Sequence, residues 1–192
     1  MGQPLTPLAL AVLHLLSEGP MHPYEMWQRI RDYGIDYTIK VTRGSLYHAV
    51  ERLADRGFIE AVETSRAGRR PERTVYAITE AGQDEALAQL RGAIARPVDE
   101  YPVLGAALTL ARMLPPEELA QLLRRRTVAV EARIAAHDTI IDGLIKQGVD
   151  RIGVIEIEYC QALLRAELDW LRAAEEDIAS GRLQWQRTGQ DI

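Results

Sequence analysis

At Gly57 the hydrophobic rhythm of this chain changes, and no other feature limits its possible folds as much. The residues before it read as three successive helical blocks, whereas "FIEAVET" and "TVYAIT" after it alternate in the manner of half-buried strands. The strands are joined by "SRAGRRPER", a long basic tip containing Gly and Pro. The predicted order is helix, helix, helix, hairpin, then a helix from about Glu80 to Arg96.

Local signals mark the ends of these blocks. Thr6 is a helix N-cap with Pro7 at the first helical position. The helix that follows runs to about Glu18 and is almost wholly apolar, so it should be buried on most sides. Gly19-Pro20 ends it. Pro23 starts a second helix through "YEMWQRIRDY", with Gly34 as its stop. The short apolar segment "YTIKV" then leads into a third helix, capped by Thr42 and closed by Gly57. Three such helices and a two-stranded wing make a winged helix-turn-helix, whose third helix enters the DNA major groove.

The third helix suits that role. Leu46, Ala49, Val50 and Leu53 fall on one side, and Gly44, Ser45, His48 and Arg52 on the other. Gly44 and Ser45 keep its start thin enough for backbone to approach a duplex, and a helix N-terminus favours a phosphate. Thr42 and Tyr47 can donate hydroxyls to phosphates, while Arg43 and His48 can reach base edges or backbone. Arg66, Arg69, Arg70 and Arg73 on the wing suit the phosphate backbone or an adjacent minor groove. Tyr24 and Lys40 complete the candidate contact set. Bland alternatives stand beside these: Tyr47 half-buried at the core edge, and Arg52 paired with Glu51 or Asp55.

The net charge of −5 at first opposes a nucleic-acid partner. It is unevenly spread. Residues 1–80 are neutral overall, while Lys40 to Arg73 carry eight basic and five acidic residues. Phosphate binding is set by such local charge rather than by the total.

Pro97 and Pro102 bracket a change of domain, giving expected bounds of 1–96 for the winged head, 97–181 for a helical domain and 182–192 for a polar tail. Helices are predicted over Val103–Leu114, from Pro115-Pro116 to about Lys146, and from Ile152 to about Ser180. The last carries two apolar stripes. Ile152, Ile155, Tyr159, Leu163, Ala166 and Trp170 form one; Ile157, Cys160, Leu164, Leu168 and Leu171 form the other. Two stripes want two neighbours, and a second subunit is the economical source of the second. A homodimer is therefore expected, with Ile152, Ile155, Tyr159, Leu163, Leu164, Trp170 and Leu171 as candidate contacts.

Other classes find little support. The longest apolar run, Pro7–Leu16, is far short of the roughly 20 residues of a membrane span, and it lacks the flanks of a signal peptide. Cys160 is the sole cysteine, which excludes an internal disulfide framework. There is no phosphate-binding loop, no metal-ligand spacing among His14, His22, His48 and His137, and no nucleophile elbow. A cytoplasmic, non-enzymatic protein without cofactor or membrane association is expected. A winged helix used for protein–protein contact is the remaining rival.

The motifs "GPMHPYEM" (Gly19–Met26), "TRGSLYHAVERLADRGFIE" (Thr42–Glu60) and "GRRPERTVYAITEAG" (Gly68–Gly82) resemble, in order and spacing, the PadR family of bacterial transcriptional regulators. Pro23 stands where family members typically carry Gly. The resemblance covers about the first 85 residues. It implies a dimeric, repressor-like protein on a palindromic operator, often released by a small organic ligand.

For a small aromatic or amphipathic effector, the candidates are Trp27, Arg126, His137 and Trp170. His137 lies on the apolar stripe of the 116–146 helix, with Arg126 and Arg133 at its border. These polar groups could bind an acidic effector or serve as internal partners for Glu156 or Glu167. The internal pairing is the preferred reading.

Overall fold

The computed structural model describes residues 4–65 and 73–183, distributed over two compact units, Met1–Asp99 and Glu100–Ile192. The division falls inside the Pro97–Pro102 stretch. The polar tail beyond Leu183 lies outside the described residues.

The N-terminal unit runs α1 (Pro7–Ser17), α2 (Pro23–Asp32), α3 (Arg43–Asp55), β1 (Ile59–Ser65), β2 (Arg73–Ile78) and α4 (Glu80–Ala95). The "YTIKV" approach to α3 overlaps a short 3-10 turn, Ile35–Tyr37. Thr6 starts α1: its Oγ1 accepts the Ala9 N–H at 3.2 Å, with Pro7 in the first turn. Val12, Leu13, Leu15 and Leu16 of α1 pack with Met26 and Ile30 of α2, Leu46, Val50 and Leu53 of α3, and Ile59 of β1. Each large side chain in this core contributes about 1.5–3 kcal/mol of burial free energy. Gly34 and Gly57, at φ 68° and 71°, turn the chain out of α2 and α3.

The hairpin is antiparallel, with Ile59 opposite Ile78 and Ser65 opposite Arg73. The register shifts between Ala61 and Glu63, so Val62 is the extra residue of a bulge. The other edge of β2 is also bonded. Met21 donates its N–H to the Tyr76 carbonyl (3.0 Å) and accepts the Tyr76 N–H (3.1 Å).

"TEAG" is a mechanical joint. The Thr79 hydroxyl accepts the Gly82 N–H at 3.1 Å and donates to the Gly57 carbonyl at 2.8 Å. The Thr79 N–H donates to the Phe58 carbonyl at 3.0 Å. A Cβ at position 82 would lie 2.0 Å from that same Phe58 oxygen, so only glycine lets α4 begin so close to the start of β1.

The C-terminal unit contains α5 (Val103–Thr109), α6 (Pro116–Lys146) and α7 (Ile155–Ala179), with 3-10 turns at Ala111–Met113 and Arg151–Gly153. Two sequence expectations need correction. The Val103–Leu114 segment is not one helix: Leu110 leaves helical geometry (φ −105°, ψ 4°) and a tighter turn follows. Ile152 does not begin the last helix. It sits in the 3-10 turn, and Val154 at φ −129° separates that turn from α7.

α6 and α7 pack antiparallel through Leu119, Leu123, Val130, Leu164, Leu168 and Leu171. Polar rungs flank this seam: Arg126 with Glu167, Thr127 with Glu175 (2.6 Å), Arg172 with Glu131 (2.7 Å) and Gln161 with Asp138 (2.7 Å). Among the described residues, no helix is long and apolar enough to cross a membrane.

Candidate nucleic-acid interface

The start of α3 is held by a reciprocal cap. The Thr42 Oγ1 accepts the Ser45 N–H at 3.1 Å, and the Ser45 Oγ accepts the Thr42 N–H at 2.9 Å. The two hydroxyls also meet each other at 3.1 Å, and Ser45 donates to the Thr42 carbonyl at 2.9 Å. A Ser at the third position thus replaces the usual Glu or Gln of a capping box. Thr42 is the N-cap expected from the sequence, and its hydroxyl is engaged with Ser45.

With its apolar side sunk in the core, α3 leaves Arg43, Gly44, Tyr47, His48 and Arg52 exposed, with Ser45 half-buried. Tyr47 is 43% exposed, so it belongs to the outer face rather than the core edge. A Cβ added at Gly44 would meet nothing within 4 Å, so packing within the chain does not require glycine there. The face is not purely basic: the His48 Nδ1 lies 3.3 Å from the Glu51 carboxylate, both well exposed. Lys40 and Tyr24 are exposed as well.

Two hollows flank this face. One, of about 560 Å³, has an apolar floor of Leu5, Leu8, Ile39, Ala49 and Leu53, with Lys40, His48, Arg52 and Arg56 around it. Arg56, which the sequence did not single out, lies over the Phe58 ring at 4.5 Å and 3.8 Å from Glu85. The other hollow, of about 480 Å³, is lined by Tyr24, Trp27, Arg31, Asp32, Asp36, Tyr37 and Arg43, among others. There the Arg43 guanidinium lies over the Trp27 ring, 5.8 Å from its centroid. Trp27, expected in an effector pocket, thus belongs to the N-terminal unit and has a cationic neighbour on α3.

Arg66, Arg69 and Arg70 lie outside the described residues. Arg73 is the first residue of β2, at the tip end of the ladder.

In the C-terminal unit the two stripes of α7 have different fates. Leu164, Leu168 and Leu171 are buried against α6, so Leu164 and Leu171 face their own chain and are not available to a second subunit. That corrects two of the expected dimer contacts. The other stripe is uncovered within the chain: Ile155 is 49% exposed, Tyr159 64%, Leu163 54% and Trp170 44%. Ile152, in the preceding turn, is exposed too.

Arg126 pairs with Glu167, one of the internal partners weighed from the sequence. His137 is half-buried, with its Nδ1 buried and making no hydrogen bond among the described residues. The Thr127–Glu175 and Gln161–Asp138 rungs had no sequence signal, because each depends on the register between two helices.

Residues 12–88 match the model of the Transcriptional regulator PadR-like family. Among solved structures, Bacillus subtilis PadR in complex with operator DNA is 18% identical, with a TM-score of 0.71 over 92% of this chain and 99% of that one. The same Bacillus subtilis protein in complex with p-coumaric acid is 17% identical, with a TM-score of 0.71 over 90% and 98%. A PadR-like transcriptional regulator from Bacillus cereus is 15% identical, with a TM-score of 0.62 over 91% and 99%. The comparison with curated proteins finds no significant match. The likeness to the PadR-like family of transcriptional regulators is thus shown over residues 12–88, which take in α2, α3, the hairpin and parts of α1 and α4.

Proposed function

We propose that the protein is a sequence-specific, dimeric repressor that binds a palindromic operator and is released by a small organic effector. One observation carries the DNA reading. The start of α3 is capped, sterically open at Gly44, and surrounded by the exposed side chains of Arg43, Tyr47, His48 and Arg52. Tyr24 and Lys40 extend this face, and Thr42 and Ser45 contribute the cap that presents it. Arg66, Arg69, Arg70 and Arg73 would follow the backbone beside the groove. The operator DNA held by Bacillus subtilis PadR, a protein of the same fold, supports the reading.

Dimerisation is proposed through Ile155, Tyr159, Leu163 and Trp170, with Ile152 at its margin. A contiguous apolar stripe left open on a helix is a common mark of an interface. For the effector, His137 and Trp170 remain candidates. The p-coumaric acid bound by Bacillus subtilis PadR makes a small aromatic acid the first class to try.

The deciding experiment is a gel shift on the DNA upstream of the protein's own gene, across a salt series and with a panel of small aromatic compounds. A salt-dependent shift reversed by one of them is the expected result. No shift at any salt would favour a winged head that docks proteins.

Two variants refine this test. Alanine at both Arg69 and Arg70 should flatten the slope of log affinity against log salt by about one to two. An unchanged slope would remove the wing from the phosphate backbone. Gly44→Ala should stabilise the fold by up to about 1 kcal/mol, since Ala is the better helix former, and urea melts would measure that gain. The same variant should bind DNA about tenfold more weakly if backbone approaches the duplex there, since one lost charge-assisted hydrogen bond has that effect. Unaltered affinity would leave Gly44 without a role in recognition.

A further inference from the structure

Arg43 occupies the first position of α3, where the helix dipole disfavours a cation. Two carboxylates, Asp32 and Asp36, line the same hollow, yet Arg43 makes no ion pair among the described residues; its neighbour is the Trp27 indole, 5.8 Å from the guanidinium carbon to the ring centroid. That distance lies inside the roughly 6 Å range of a cation–π contact. We propose that Trp27 is a positioning residue for DNA recognition, holding the Arg43 guanidinium by its face so that its N–H edge is presented to the duplex. The inference rests on the DNA-binding reading above.

The choice of partner matters chemically. A carboxylate would neutralise the guanidinium and occupy the in-plane donors that recognise phosphate or guanine. An aromatic face does neither. A face-on contact would take one of the two faces of the guanidinium, neither of which carries an N–H group, and leave the donors free for a groove or backbone contact. Trp27 is also a firm support, because it is half-buried and packs against the core shared by α1, α2 and α3. Arginine otherwise loses considerable rotamer freedom when it is ordered at an interface. Holding the side chain in the free protein removes part of that cost before DNA arrives.

The test is a double-mutant cycle on the full chain. The probe is a labelled duplex selected from a random pool by the wild-type protein, read by fluorescence anisotropy at fixed salt. Urea melts confirm that each variant is folded. Arg43→Ala should weaken binding, and Trp27→Leu should weaken it by about two- to tenfold per bound copy. The double variant should bind no worse than Arg43→Ala alone. Trp27→Tyr, which keeps an aromatic face, should recover most of the affinity. A purely structural Trp27 would instead give losses that multiply with those of Arg43→Ala, and that result overturns the proposal.

Should Trp27→Leu fail to fold, Trp27→Phe runs the same cycle, since it keeps the ring and weakens the attraction for the cation. Multiplying losses again overturn the proposal. Wild-type affinity in Arg43→Ala overturns it while leaving the DNA-binding function standing. Failure of the wild-type protein to select any duplex removes both.

Discussion

Leu163→Glu should leave the protein folded, turn it into a monomer in light scattering at micromolar concentration, and weaken its binding to a palindromic duplex about a hundredfold or more. Leu163 lies in the middle of the open stripe of α7, between Tyr159 and Trp170, and is 54% exposed within its own chain. A charge there should alter folding stability by no more than about 0.5 kcal/mol, as is usual for exposed positions. In a dimer the same charge would be buried without a partner, which is strongly unfavourable. The loss of DNA affinity follows from valence. Linking two heads turns the second binding event into an intramolecular one, a gain on the order of 10² to 10⁴. A variant that stays dimeric would move the interface off this stripe. A variant that becomes monomeric with undiminished affinity would mean that one head suffices on DNA.

The second large effect is on folding. Gly82→Ala puts a methyl group 2.0 Å from the Phe58 carbonyl oxygen and 2.9 Å from its carbon, both backbone atoms that no rotamer change can move away. Either α4 or the start of β1 must shift. The Thr79 bridge, which ties the N-terminus of α4 to the Gly57 carbonyl, then loses its geometry as well. Overpacking alone costs about 1–3 kcal/mol, and a lost cap adds about 1 kcal/mol. A fall of about 3 kcal/mol in the urea-derived unfolding free energy is the expected result. The change should be in the N-terminal unit. Stability within about 0.5 kcal/mol of wild type would show that the joint has slack. Gly44→Ala is the natural control, since its methyl group points into open space.

These two residues also mark where the sequence was readable. Thr6 and Thr42 both lie beside their helices as the caps expected of them, because a cap depends only on the residues one to three places away. The three helices, the hairpin and the sunken face of α3 are likewise local in origin. Period and punctuation settle them. The Phe58–Gly82 contact spans a hairpin, so nothing near Gly82 announces it.

α7 is the intermediate case. Its periodicity establishes two apolar stripes and the angle between them, but it does not name the neighbour of either. That neighbour depends on where α6 lies, which is why Leu164 and Leu171 fell to the chain's own core. The neighbour of Trp27 was hidden for a related reason: an aromatic at helical spacing reads as apolar lining, whereas Arg43, whose guanidinium lies over its ring, stands 16 positions away on another helix.

The double bonding of β2 has a consequence for how the wing takes load. At Tyr76 the strand has β1 on one side and Met21 on the other, so the wing's base is clamped at both edges to the corner between α1 and α2. Beyond the Val62 bulge, among the described residues, it is paired on one edge only, from Val75 to Arg73. The hairpin is therefore a cantilever with a stiff root and a softer outer arm. A force on the outer arm bends it at the bulge first, while α3 behind the root keeps its place.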